Sequence, residues 1–310
     1  MRYVLEGSLR KSGNRIRVTA QLVEAETGKH VWAEPYDRGL GDIFAVQDEI
    51  ADAVSIADAP AIDQAERQHA MRKPPENLDA WAAYHRGLWH LSKISSPDNA
   101  LAEEFFQRAI DLDPNFSRGY SGLVVAQHTG ARLFGARDLI EAQKSCQRLA
   151  QRAVALDPAD AETRACLATF LVNRGDFDGA RTEAERALAI SPNLARAYEA
   201  LAMTLIFGGR PKDGLAVLER SIRLDPSCPE MWALLNLATV GLYFCGDYEA
   251  AIAAARRAIR SFPEYPTPYR WLAAALGQLG RIEGGARKSC RAPSSLVRPT
   301  CSPEGALATT

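Results

Sequence analysis

Paired cysteines, long apolar runs and a surplus of either charge are what this sequence lacks. Cys146, Cys166, Cys228, Cys245, Cys290 and Cys301 are scattered through 310 residues with no C-x-x-C pair. That scatter argues against a disulfide framework and for free thiols in a reducing compartment. The longest uncharged run, Trp232 to Cys245, is too short to cross a bilayer and is interrupted by Asn236 and Gly241. Met1 to Gly13 has no apolar core of the kind a signal peptide needs. With 37 basic and 38 acidic residues the formal charge is −1, which gives no electrostatic reason to expect DNA, RNA or anionic lipid as partner. The expectation is a cytoplasmic protein with neither nucleic acid nor membrane among its partners.

What is present begins as sheet. Ile16, Val18, Ala20 and Leu22 alternate with Arg15, Arg17, Thr19 and Gln21, the period of a half-buried strand. Tyr3, Leu5 and Leu9 mark a strand before it, with Ser12-Gly13-Asn14 as the turn. A third strand runs through Val31-Trp32-Ala33 to about Tyr36. Asp42 then caps a predicted helix carrying Ile43, Val46, Ile50 and Val54 on one face. Three strands and one helix bury little, and a three-strand sheet leaves two open edges. The sequence therefore reads as the second part of a longer α/β domain.

From residue 76 onward an internal repeat takes over. IDLDPNF, VALDPAD, LAISPNL, IRLDPSC and IRSFPEY place Pro114, Pro158, Pro192, Pro226 and Pro263 at intervals of 44, 34, 34 and 37 residues. After each of four of these prolines an aromatic anchor opens a helix (Tyr120, Tyr198, Trp232, Tyr269), with Leu123, Leu201, Leu235 and Leu272 three residues on. Glycine turns at Gly175, Gly208-Gly209, Gly246 and Gly280 let a second helix fold back. That helix carries alanines such as Ala180, Ala184 and Ala187, or Ala251, Ala255 and Ala258. A proline then ends it, because proline cannot continue the hydrogen-bond ladder. Arg164 stands where an aromatic anchor is usual, and the second unit has ten extra residues, placed by this reading within Thr129–Arg137. The first unit, about Asn77 to Pro114, is looser but keeps Trp81, Tyr84, Ala102, Phe106 and Ala109. After about Glu283 the period stops, and KSCRAPSSLVRPTCSPEGALATT is either a polar disordered tail or the product of a shifted reading frame.

Period, anchors, alanines and closing prolines together resemble the tetratricopeptide repeat family. The opening YVLEGSLRKSGNRIRVTAQLVEAETGKHVWAEPYDR, followed by DIFAVQDEIADAV and RKPPENLDAWAAYHRG, resembles the accessory region of bacterial class III adenylate cyclases, a TolB-like domain followed by such repeats. Similar modules also follow winged-helix DNA-binding domains. The fold class expected is mostly α, a tetratricopeptide-type solenoid preceded by a truncated small α/β domain. Residues 1–58 read as the C-terminal half of a TolB-like domain and 59–76 as a linker. Residues 77–283 read as about five repeats plus a partial sixth, and 284–310 as the disordered or frame-shifted tail.

No catalytic constellation accompanies these elements. Gly119–Gly122 lacks the closing glycine of a nucleophile elbow, and Gly280–Ser289 lacks the glycine before the lysine of a phosphate loop. His85 and His90 are five apart, off the spacing that puts two metal ligands on one helical face. The reading is a protein-interaction scaffold, not an enzyme, with no cofactor and no metal.

In the family the first helix of each unit lines the binding groove. Counting Tyr198 as position four, positions two, five, nine, twelve and thirteen are Arg196, Glu199, Met203, Ile206 and Phe207. The unit before gives Glu162, Ala165, Thr169, Val172 and Asn173, and the one before that Arg118, Ser121, Val125, His128 and Thr129. Met203, Ile206 and Phe207 are large apolar residues on a nominally exposed face. Either the α/β domain or the Thr129–Arg137 loop covers them, or they form a groove for an apolar peptide or helix, oriented by Arg196 and Glu199. The lysine and asparagine pattern of carboxylate-clamp repeats is absent. Self-association through an uncapped C-terminal repeat is a further expectation.

Overall fold

In the computed structural model the described residues are 2–39, 54, 61–74, 78–226, 228 and 230–281. The helix expected after Asp42 lies outside them except for Val54, which is helical, and so does the tail over 284–310. The strands are β1 (Tyr3–Ser12), β2 (Arg15–Glu24) and β3 (His30–Gly39), antiparallel in the order β1-β2-β3. Gly13, at φ 58°, turns β1 into β2, a conformation that costs glycine little. The register sets Leu5 opposite Leu22, Leu9 opposite Val18 and Val18 opposite Tyr36, so one face of the sheet is apolar. Ile16, Ala20, Leu22 and Tyr36 are buried on that face, whereas Leu5 and Leu9 on the edge strand are exposed.

Residues 61–72, expected as part of a linker, form a helix, α1. It is no passive spacer. The buried Glu66 carboxylate accepts hydrogen bonds from Arg2 Nη1 (2.6 and 2.7 Å), Tyr3 Oη (2.8 Å) and Trp81 Nε1 (2.8 Å). One side chain thus ties the sheet, α1 and the next helix, α2 (Ala80–Leu91), together. Arg86 of α2 donates through Nη2 to the carbonyls of Ala70 (2.8 Å) and Lys73 (2.6 Å), satisfying the last turn of α1.

Burial alone would raise the pKa of Glu66, but the donors from Arg2, Tyr3 and Trp81 outweigh it and hold the carboxyl below its usual value. A lowered folded-state pKa contributes stability that is present above the unfolded value and lost as pH falls through the folded one. Glu66→Ala should therefore cost about 1.5–3 kcal/mol at neutral pH, with the gap to the unmodified chain narrowing on acidification. Urea unfolding across that pH range measures it. A pH-independent or negligible difference would mean that apolar packing, not the carboxylate, holds this junction.

The array comprises α2, α3 (Ser96–Leu112), α4 (Ser117–Phe134), α5 (Leu139–Leu156), α6 (Ala161–Asn173) and α7 (Phe177–Ile190). It continues with α8 (Ala195–Phe207), α9 (Pro211–Leu224), α10 (Met231–Phe244), α11 (Tyr248–Ser261) and α12 (Thr267–Gln278). They form five antiparallel pairs and then a further first helix, α12. Ala180, Ala184 and Ala187 in α7, like Ala251, Ala255 and Ala258 in α11, are buried and let neighbouring helices approach closely. The anchors also make a hydrogen bond that the sequence pattern does not display. Tyr120 Oη donates to the Pro114 carbonyl and Tyr269 Oη to that of Pro263, both at 3.0 Å. Arg164 Nε donates to the Pro158 carbonyl at 2.7 Å, so the departure from an aromatic keeps the same bond. The extra residues of the second unit do not make a loop. They lengthen both of its helices, each 18 residues against 13 and 14 in the unit that follows, and Gly135 ends α4 in the left-handed conformation.

Candidate partner-binding face

First helices pack on one another along the array, α2 on α4, α4 on α6, α6 on α8, α8 on α10 and α10 on α12. Second helices pack on first helices instead, with no substantial contact among themselves. The layer whose members lie closest is the inner side of a curved stack, so the first helices line the inner face.

On α8, residues 196, 199, 203 and 207 recur at intervals of three and four and form one stripe. Arg196 and Phe207 are exposed, while Glu199 and Met203 are half-buried. The equivalent stripe on α6 is Glu162, Thr169 and Asn173, and on α4 it is Arg118, Val125 and His128, all half-buried. Ten of the eleven expected residues are exposed or half-buried on the first helices. Ile206 is the exception. Only 1% exposed, it packs with Ala202, Leu218, Leu234, Leu237 and Val240 in the core between α8, α9 and α10. Its neighbour Phe207 is 42% exposed. Adjacent helical residues point about 100° apart, so positions twelve and thirteen cannot share one face equally. Val172 and Asn173 divide the same way, buried and half-buried. Ser121 and Ala165 are buried as well.

Charges alternate along position two. Arg118 Nε bonds Asp160 Oδ2 at 2.8 Å, and that aspartate also caps α6 by accepting from the Glu162 amide at 2.9 Å. Glu162 faces Arg196 at 3.6 Å. Next in the series is Glu230, at the N-terminus of α10. Burial would lower the pKa of Arg196, but Glu162, Glu199 and Glu230 together raise it further, so the guanidinium stays charged. Burial raises the pKa of Glu199 and Glu162, with Arg196 opposing. Arg196 keeps 47% of its side chain exposed, as expected for a charge on the wall of a concave surface, wetted from one side and crowded on the others. At the other end of the helices Arg132 Nη1 donates to Asn173 Oδ1 (2.9 Å), and Asn173 Nδ2 donates to the Thr169 carbonyl (2.9 Å). Burial, aided by Arg132, pushes the His128 imidazole down to about 4, so it is neutral at pH 7.

Two aromatic residues escaped the sequence reading. The Phe207 ring meets that of Phe244 at 6.4 Å, and Phe244 meets Trp271 of α12 edge to face at 5.5 Å. Phe244 lies one turn beyond the last position counted and Trp271 at position six, so positional counting passes over both. Glu230 was legible, because it is position two of the fifth unit.

Stacked antiparallel helix pairs with a continuous first-helix layer define a helical-repeat solenoid. Sequence models of the tetratricopeptide repeat family match residues 171–238 and 242–293. Over those residues the chain consists of tetratricopeptide repeats. Among solved structures it is similar to a human IFIT1 dimer with m7Gppp-AAAA, with TM-score 0.58 and 16% identity over 69% of this chain and 51% of that one. It is also similar to the APC/C hetero-tetramer Cut9-Hcn1, with TM-score 0.56 and 13% identity over 79% of this chain and 46% of that one. At such identities the likeness is one of fold alone. A Rhizobium meliloti (strain 1021) protein whose name places it among the adenylate cyclases is 36% identical over 128 residues, 40% of this chain. The match spans 21% of that relative, about a fifth of its length. Among the described residues no helix is long and apolar enough to cross a membrane, and no group of His, Cys, Asp or Glu could hold a metal.

Proposed function

We propose that this chain is the interaction region of a bacterial signalling protein of the adenylate cyclase kind, working in the cytoplasm. In this reading the solenoid holds a protein or peptide segment on its inner face and carries out no chemistry itself. Residues 1–58 are the TolB-like portion that precedes the repeats. Tetratricopeptide repeats support the scaffold role, and the Rhizobium meliloti relative supports the signalling context. The observation that carries the reading is the stripe Arg196, Glu199, Met203 and Phe207, exposed or half-buried along one side of α8 in a layer of mutually packed first helices. A charged end and an apolar end on one helix face suit a segment bound along the groove.

A displayed random-peptide library panned on the purified chain tests this. Peptides should enrich on the unmodified chain and fail to enrich on the double variant Phe207→Ser, Phe244→Ser. Both residues are partly exposed, at 42% and 46%, so the variant should melt within a few degrees of the parent. Enrichment that survives the double change, or no enrichment at all, would place the partner surface elsewhere and overturn the groove assignment.

A further inference from the structure

The inner face has an electrostatic surplus. Arg118 is occupied by Asp160 at 2.8 Å. Two guanidiniums, Arg118 and Arg196, thus face four carboxylates, Asp160, Glu162, Glu199 and Glu230, and Arg196 approaches Glu162 to 3.6 Å. Among the described residues no ion pair reaches Glu199 or Glu230. Among the described residues the Glu230 carboxylate accepts from the weak Cys228 thiol, at 3.4 Å. Crowded carboxylates short of countercharge favour an incoming cation, because it relieves their repulsion without breaking an existing pair.

The same stripe then turns apolar. Phe207 lies eight residues beyond Glu199 on α8, about 12 Å along the helix axis. With Phe244 and Trp271 it makes an edge-to-face aromatic line across α8, α10 and α12, ring to ring at 6.4 and 5.5 Å. Phe207 and Phe244 remain partly exposed within that line. Rings in such contact bind further apolar groups through their faces and edges.

Building on the groove reading above, we infer that the partner segment is basic and aromatic. One Lys or Arg sits at Glu199 and Glu230, and a large aromatic side chain sits on Phe207, Phe244 and Trp271. An extended segment rises about 3.3 Å per residue, so the two anchors stand about four residues apart. A carboxylate at the first anchor would add to the surplus instead of relieving it, which argues against an acidic partner tail.

Two display libraries test the inference, each with a fixed Trp and randomised neighbours. In one, the residues four before and four after the Trp are Lys; in the other they are Glu. On the unmodified chain the Lys library should enrich at least about tenfold over the Glu library, the discrimination expected of one favourable charge contact set against one repulsive contact. On the double variant Glu199→Gln, Glu230→Gln the ratio should fall towards one while the enriched peptides still depend on Phe207 and Phe244. Equal enrichment of both libraries on the unmodified chain, lost on Phe207→Ser, Phe244→Ser, would overturn the basic specificity and leave the groove reading standing. A Lys preference that persists in the Gln variant would overturn the assignment to Glu199 and Glu230. If neither library enriches above the Ser variant, both readings fall.

Discussion

Phe106→Ala should lower stability by about 3–5 kcal/mol, the cost of emptying a large buried aromatic site. Phe106 on α3 is fully buried, and its ring lies between two glycines of the neighbouring helices. A Cβ at Gly87 of α2 would come within 2.6 Å of the ring, and one at Gly122 of α4 within 2.4 Å. Tyr84 adds a tilted ring contact at 5.7 Å. The side chain therefore joins the first unit to the second, and the two glycines offer no side chain of their own to fill the void. Gly122→Ala should fail in the opposite way, by overpacking, at about 1–3 kcal/mol. Because units of a solenoid touch only their neighbours, the loss should be local. Hydrogen exchange should show α2 to α4 losing protection while α8 to α11 keep theirs. A stability change under about 1 kcal/mol for Phe106→Ala would show that the site collapses freely.

The repeats were legible because their signals are local and periodic: a proline every 34 residues or so, an anchor six residues later, alanines on the second helix. The helix pairs follow directly from that pattern. The apolar face of the sheet was legible for the same reason, in the alternation from Ile16 to Leu22. Helix 61–72 was not. It has few large apolar residues, and what it contributes at the junction is Glu66, whose donors Arg2, Tyr3 and Trp81 come from distant parts of the chain. A buried carboxylate reads as surface until its partners are known. The candidate face was half legible. Position counting located the stripe and the alternating charges, but three-dimensional neighbours decide which residues meet across units. Phe244 and Trp271 join Phe207 through the offset between successive helices, and nothing in a single unit records that offset.

Ile206 and Phe207 should separate in one experiment what the sequence leaves joined. Ile206→Ala is expected to cost about 2–5 kcal/mol, the range for a buried aliphatic side chain cut back to a methyl. The structure has made room for this residue on two sides. A Cβ on Gly214 of α9 would lie 2.6 Å from Ile206 Cγ1, and one on Gly241 of α10 would lie 3.1 Å from Ile206 Cδ1. The two glycines themselves offer no side chain to fill the cavity. Phe207→Ala removes a larger group, yet its ring is 42% exposed and its described ring contact is the edge-to-face one with Phe244. Its cost should stay within about 1 kcal/mol, and its effect should fall on peptide capture instead. Chemical denaturation of the two single variants, beside a binding measurement with any peptide selected on the unmodified chain, gives the comparison. If Phe207→Ala proves as destabilising as Ile206→Ala, the ring is part of the core and the aromatic line is structural. If Ile206→Ala leaves stability intact, the glycine-lined pocket around it is not the packed site described here.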